Sequence, residues 1–257
     1  VPAPTAADEI DAEATPSSAP APSPTAPQAA TQESPNSPPR LESAPPQAVL
    51  PAALAPSWDP FAALEHLPDE RELSHRGDHP YDRDAFGQQW MDVDRNGCDT
   101  RNDILRRDLM DLRVKPGTNG CVAHSGRLID PYTARSFAFE RGSGNAGELH
   151  IDHVVALGDA WRKGAWAWSP DRREAFANDP LNLVVTFGDV NMEKGAKDAS
   201  EWLPPDKKMH CGFALQVIYV KQTYDLAVSD EERAALFNAL GMCTENSPLL
   251  GGWDTGL

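Results

Sequence analysis

The chain divides sharply by its pattern of apolar positions. From Val1 to about Pro56 it is Ala, Pro, Ser, Thr and Gln with almost no aliphatic or aromatic clusters. Such a stretch buries too little apolar surface to offset the entropy of ordering, which predicts a disordered linker over 1–56. Periodic apolar positions begin afterwards. Phe61 to Leu67 reads as a short helix. Thr100 is placed to cap a helix with Ile104, Leu105, Leu109 and Leu112 on its apolar face. Between Cys121 and Glu140 a hairpin is expected, with turns at Ser125-Gly126 and Asp130-Pro131 and an alternating strand at Phe137-Ala-Phe139.

Two β-branched runs, around His150–Val155 and Asn182–Thr186, are followed by Gly188-Asp189 and a short helical segment. A Trp- and Arg-rich insertion separates the two runs. Towards the C-terminus, Leu215, Ile218, Tyr219 and Gln222 have helical spacing. Ser229-Asp-Glu-Glu232 then forms a capping box for a last helix ending at Gly241. The expectation is one α+β domain over 57–245 and a frayed tail over 246–257. No internal repeat is visible.

Composition narrows the class. No run is long or apolar enough to span a membrane. The chain starts at Val1, as a processed product does, so the expected setting is secreted or extracellular, with the N-terminal linker able to tether the domain to a cell surface. Four widely spaced cysteines, Cys98, Cys121, Cys211 and Cys243, contain no close Cys-x-x-Cys pair, which favours two disulfides over a zinc cluster. Of the three pairings, Cys98–Cys121 with Cys211–Cys243 is favoured because each joins neighbouring elements.

Charge runs against nucleic-acid binding. The net charge is −16, and the first 56 residues, with six acids and one arginine, account for less than a third of it. Binding to polyanions then requires a local basic groove. Arg101, Arg106, Arg107, Arg127, Arg135, Arg162, Lys163, Arg172 and Arg173 are its candidates.

The β-branched runs carry polar residues that a plain core strand would not. His153 has the chemistry of a base for water, and Asp152 with Asn191 that of ligands for a hard cation. Asn182 is placed to pin the loop behind His153 and to fix its tautomer. Lys194 shares a helical face with Asn191 and is expected to reach a phosphate. His150 shares a strand face with Asp152, and its ligation would shift the metal from magnesium towards manganese, nickel or zinc. One carboxylate favours one cation over two. Adjacent strand residues point to opposite faces, so Asp152 and His153 serve one phosphate only if the pleat breaks near His153.

Asp152-His153 before Val-Val, Asn182 opening a strand, and Asn191-x-x-Lys194-Gly resemble the HNH (ββα-metal) endonucleases. The likeness extends to secreted bacterial HNH proteins whose domain also occurs in restriction enzymes that cut modified DNA. It is carried by Asn96–Leu105, Ile129–Thr133, Asp159-Ala-Trp161, Phe176–Leu183 and Glu201–Pro205. The resemblance implies hydrolysis of phosphodiesters in DNA, with RNA second, using one divalent cation, and a ββα-metal unit inside the domain. Two departures stand out: the long insertion between His153 and Asn182, and Asn191 where many members carry His.

Other readings attach to particular residues. Asp92, Asp94, Asn96 and Asp103 have the spacing of a calcium loop, and with the acidic charge and the linker they would suit a calcium-dependent binding module. The alternative there is a Gly turn leading into a helix. A purely structural disulfide domain is the third reading. Trp161, Trp166 and Trp168 in the insertion are expected to pack on the core, or else to offer a surface on which a base stacks.

Overall fold

The computed structural model describes residues 58–73, 79–144 and 146–244. The expected linker over 1–56 and the tail over 246–257 lie outside them. Over the described residues the chain is a mixed α+β domain closed by two disulfides, Cys98–Cys121 and Cys211–Cys243, the favoured pairing.

Helix α1 (Pro60–Glu65) is capped by the Asp59 carboxylate, which accepts from the Phe61 and Ala62 amides. Helix α2 (Thr100–Asp108) is capped by Asp99, not by Thr100. The Asp99 carboxylate accepts from the Asn102 amide at 2.7 Å, while the Thr100 hydroxyl turns back to the Met91 carbonyl. The apolar face of α2 is Ile104 and Leu105. The chain turns extended at Leu109, so Leu112 belongs to strand β1 (Met110–Val114) and not to the helix.

Strand β1 pairs antiparallel with β2 (Ala123–Ile129), and β2 with β3 (Ser136–Glu140). The Asp130-Pro131 turn stands as expected, but Ser125-Gly126 lies inside β2. Glycine is needed there for close packing: a Cβ on Gly126 would sit 3.0 Å from Leu109 Cβ and 3.1 Å from the Met110 carbonyl oxygen.

Strand β4 (Leu149–His153) pairs antiparallel with β5 (Leu183–Phe187), and helix α5 (Gly188–Lys194) follows β5 directly. The insertion between the strands contributes α3 (Leu157–Arg162) and α4 (Pro170–Ala177). The edge of β5 is covered by the end of α2. The Asp108 carboxylate accepts from the Val185 amide at 2.8 Å, and Arg107 donates to the Leu183 and Pro180 carbonyls at 2.6 and 2.7 Å. A two-stranded ribbon buried on both faces thereby keeps its backbone polar groups paired.

The core gathers on α6 (His210–Tyr224), which is buried from Cys211 through Lys221. Helix α7 (Asp230–Leu240) packs beside it. The Ser229 hydroxyl caps α7, accepting from the Glu232 amide, but the Glu232 carboxylate does not complete the box. It turns inward to the Lys221 ammonium at 2.7 Å and to Lys163 at 3.4 Å. Lys221 also meets Asp159, and Lys163 meets Glu70 and Asp198. Buried charges persist only when paired in this way. The network ties α3, α6 and α7 into one body under the β4–β5 ribbon.

Candidate active site

Side chains alternate along β4. His150 and Asp152 face α5 and the β2–β3 turn, whereas His153 faces the end of α4 and the segment Arg83–Trp90. Pairing with β5 runs unbroken to His153 opposite Leu183. The pleat therefore does not break near His153, and carboxylate and imidazole take opposite faces at the end of one strand.

Asp152 is buried and held by two donors. Lys194 Nζ lies 3.1 Å from Oδ1 and 3.0 Å from Oδ2, and the Tyr132 hydroxyl donates to Oδ2 at 2.6 Å. Burial and the nearby Asp152 charge push the Tyr132 phenol well above its ordinary range, so it remains a donor. Its ring is wedged edge-on against Trp202 and Phe213. The turn that presents it is built by Asp130. One oxygen of Asp130 accepts from the Tyr132 and Thr133 amides, and the other from the Thr186 hydroxyl and the Phe187 amide. Asp130 thus staples the β2–β3 turn to β5.

Lys194 does not reach outward. It is fully buried, with its ammonium on Asp152 and on the His153 carbonyl at 2.7 Å. Spacing places it on one face with Asn191, but helix α5 is short and that position turns into the protein. Asn191 lies at the other side of the same cluster, its Nδ2 3.3 Å from His150 Nδ1. Gly188 makes room for that imidazole, since a Cβ there would lie 2.8 Å from His150 Nε2.

Asn182 is fully buried and pins the loop after His153 as expected. It accepts from the Val155 amide at 2.8 Å and donates to the Val155 carbonyl at 3.2 Å, while its own carbonyl accepts from the Val154 amide. It does not fix the tautomer, because the ring's partner is elsewhere. His153 Nε2–H donates to the Ala177 carbonyl at 2.8 Å, which leaves Nδ1 with the lone pair. Burial, with the Arg83 and Lys194 charges adding to it, lowers the His153 pKa to about 4.

His153 lines a shallow pocket with Leu157, Ala177 and residues of the segment Arg83–Trp90. Of the basic residues singled out in the sequence, Arg101 lies over the Trp90 ring of this segment, and most of the others are engaged within the protein. Lys163 and Arg107 are internal, Arg173 donates to the Ala85 and Trp168 carbonyls, and Arg172 pairs with Asp225. The insertion tryptophans pack. Trp161 is buried with its Nε1 on the His79 carbonyl, Trp166 stacks on His79, and Trp168 meets Phe176 and Tyr224.

The acidic loop does gather its four side chains, around the Asn96 amide. Nδ2 donates to Asp94 at 2.8 Å and to Asp103 at 3.2 Å, while the Asn96 and Gly97 amides donate to Asp92. Among the described residues, no three His, Cys, Asp or Glu side chains converge as a metal-binding group. A cation on the α5 side of β4 needs Asn191 as well as His150 and Asp152. The donors allow it: a carboxylate offers about four lone-pair sites, and Lys194 and Tyr132 engage three on Asp152, leaving one on Oδ1.

Tyr132, Asp130, Gly188 and Arg83 were missed as site residues. The Asp130-Pro-Tyr-Thr pattern carried the signal of a turn and part of the family likeness, but neither assigned it a place at the site.

A family model described as the C-terminal domain of GmrSD restriction endonucleases matches residues 99–239. A protein of Arthroderma benhamiae named "uncharacterized secreted protein" is 35% identical over 165 residues, covering 63% of this chain and 76% of that one. No solved structure matches the chain. No helix of the described residues is long and apolar enough to cross a membrane.

Proposed function

The chain belongs to the GmrSD restriction endonuclease C-terminal domain family, and from that premise we propose that it is a metal-dependent endonuclease that hydrolyses phosphodiester bonds in DNA, and second in RNA, outside the cell. The secreted relative and the two disulfides support the location. The observation that carries the activity is the contrast between two successive residues: a buried, doubly held carboxylate at 152 and a neutral, desolvated imidazole at 153.

Each residue has a part. His153, kept neutral by burial and oriented by the Ala177 carbonyl, accepts at Nδ1 the proton of an attacking water. Asn182 holds the loop after it, so the ring keeps its place. Asp152, Asn191 and His150 would hold one divalent cation, magnesium first and manganese or zinc next, which would polarise the phosphate and stabilise charge on the leaving oxygen. Lys194 acts behind the carboxylate, balancing its charge and tying it to the His153 carbonyl. A phosphate seated off the end of β4 meets both faces of the strand, which reconciles the opposed directions of Asp152 and His153.

The test is cleavage of plasmid DNA and of RNA by the exported, disulfide-bonded protein, with magnesium or manganese and with chelator. His153→Ala should slow hydrolysis about a hundred- to ten-thousandfold while metal still binds. Asp152→Ala should lose metal affinity together with activity. Failure of the wild-type protein to cut either nucleic acid, or a His153→Ala rate equal to wild type, overturns the reading.

A further inference from the structure

The segment Arg83–Trp90 covers the His153 face of the ribbon and lies before the family match at residues 99–239. We propose that the pocket it forms with His153 is a subsite for one unpaired nucleotide of the substrate, with Arg83 on the phosphate and with Trp90, Gln88 and Gln89 on the base. This rests on the nuclease reading of His153 and adds the kind of nucleic acid that reaches it.

The wall is built as a rigid piece. Its backbone is spent on α4 and the residues just after it: the Gln88 amide donates to Glu174 at 2.8 Å, Asn178 donates to the Gln88 carbonyl at 2.9 Å, the Met91 amide donates to Asn178 at 2.9 Å, and Arg173 donates to the Ala85 carbonyl at 2.8 Å. Gly87 allows this docking, with φ at 75° and a would-be Cβ 2.8 Å from Glu174 Oε1. With the main chain committed, the exposed side chains of Gln88 and Gln89 are what the wall presents to the solvent side. Trp90 is held at φ 57°, a left-handed conformation that bulky residues rarely adopt and that clusters at ligand sites. The Arg101 guanidinium lies over its ring, 5.7 Å from the centroid.

The chemistry of the lining fits a nucleotide. Carboxamides offer both a donor and an acceptor to a base edge, an indole offers a face for stacking, and a guanidinium pairs with phosphate oxygens. Asp84 lines the pocket too, which disfavours a second phosphate and can accept from an exocyclic amine. At a net charge of −16 the chain as a whole repels polyanions, so affinity has to come from such local contacts. A base inside a duplex has neither face free for Trp90. The subsite therefore selects single strands, or a nucleotide turned out of its helix.

The experiment has two arms. In the first, deoxynucleoside 5′-monophosphates and the matching nucleosides are titrated into wild-type protein, Trp90→Ala, Trp90→Phe and Arg83→Gln by calorimetry. Millimolar or tighter binding is expected for wild type. Trp90→Ala should weaken it about five- to a hundredfold, Trp90→Phe should restore most of it, and Arg83→Gln should reduce it for nucleotides but not for nucleosides. In the second arm, one oligonucleotide is cut as a single strand and in a duplex, with preference for the single strand expected in wild type and lost in Trp90→Ala. Equal cutting of both forms, unchanged by Trp90→Ala, overturns the subsite and leaves the nuclease reading standing. Nucleotide binding that depends on Trp90, in a protein that cuts nothing, supports the subsite and overturns the nuclease. No nucleotide binding to folded wild type at millimolar concentration overturns the subsite outright.

Discussion

The Lys194 ammonium and the Asp152 carboxylate form a fully enclosed ion pair, 3.0 Å apart, between the last residue of α5 and the penultimate residue of β4. Removing one partner of a buried pair leaves a charge without compensation, which costs about 3–5 kcal/mol. Lys194→Met should lower the unfolding free energy by that amount in denaturant titrations. Adding Asp152→Asn to it should recover part of the loss. If Lys194 instead serves only substrate, Lys194→Met should leave stability unchanged.

His153 gives the site its pH profile. With its pKa lowered to about 4 by burial, the ring stays an acceptor well below the ordinary histidine value of 6.5. Initial rates should stay level from pH 8 down to about pH 5 and fall through pH 4. Stability has a matching sign: between pH 4 and 6.5 the unfolded chain binds the proton and the folded chain does not. This contribution is therefore present above pH 6.5 and lost as pH falls through 4, and His153→Ala should remove it.

Gly188→Ala tests the geometry on the α5 side of the ribbon. The added Cβ would stand 2.8 Å from His150 Nε2, so the imidazole must move relative to Asn191. Displacing a metal-side group costs about tenfold to a hundredfold in metal affinity or activity. Melting temperature should barely change. A variant with full activity and full metal affinity would show that His150 does not contribute.

Glu232 behaves oppositely to His153. Burial pushes its carboxyl up to about 7, against the pull of Lys221. Between pH 4.5 and 7 the folded chain holds the proton that the unfolded chain has released. The contribution of Glu232 is thus full below pH 4.5 and lost as pH rises through 7. Glu232→Gln should flatten that slope in melting temperature measured against pH.

The sequence was legible where chemistry interrupts a local pattern. Polar residues inside β-branched runs marked β4 and β5, and the spacing from Asp152 to Asn191 marked the helix after them. Strand β1 was hidden because Leu109 and Leu112 continue the helical period of Ile104 and Leu105. What ends the helix is Asp108 reaching the Val185 amide, a contact 77 positions away. Likewise, i,i+3 spacing joins Lys194 to Asn191 but says nothing of which side of α5 is wet. The tautomer of His153 depends on Ala177, and the orientation of Asp152 on Tyr132, each on an element that no local period connects to β4. Asn182, whose partners lie in the adjoining loop, holds that loop as its position implied but does not set the tautomer.

The staple made by Asp130 limits how this machinery can be moved. Residues 149–195 carry His153, its Ala177 carbonyl, Asn182 and Lys194, and so look like a transferable cassette. Grafted onto a foreign scaffold, that cassette would lose the phenol that steadies Asp152 and the carboxylate that clamps the Thr186 hydroxyl and the Phe187 amide. The β2–β3 turn is thus part of what holds Asp152 and the start of α5 in place, and a graft of the ribbon has to carry that turn with it.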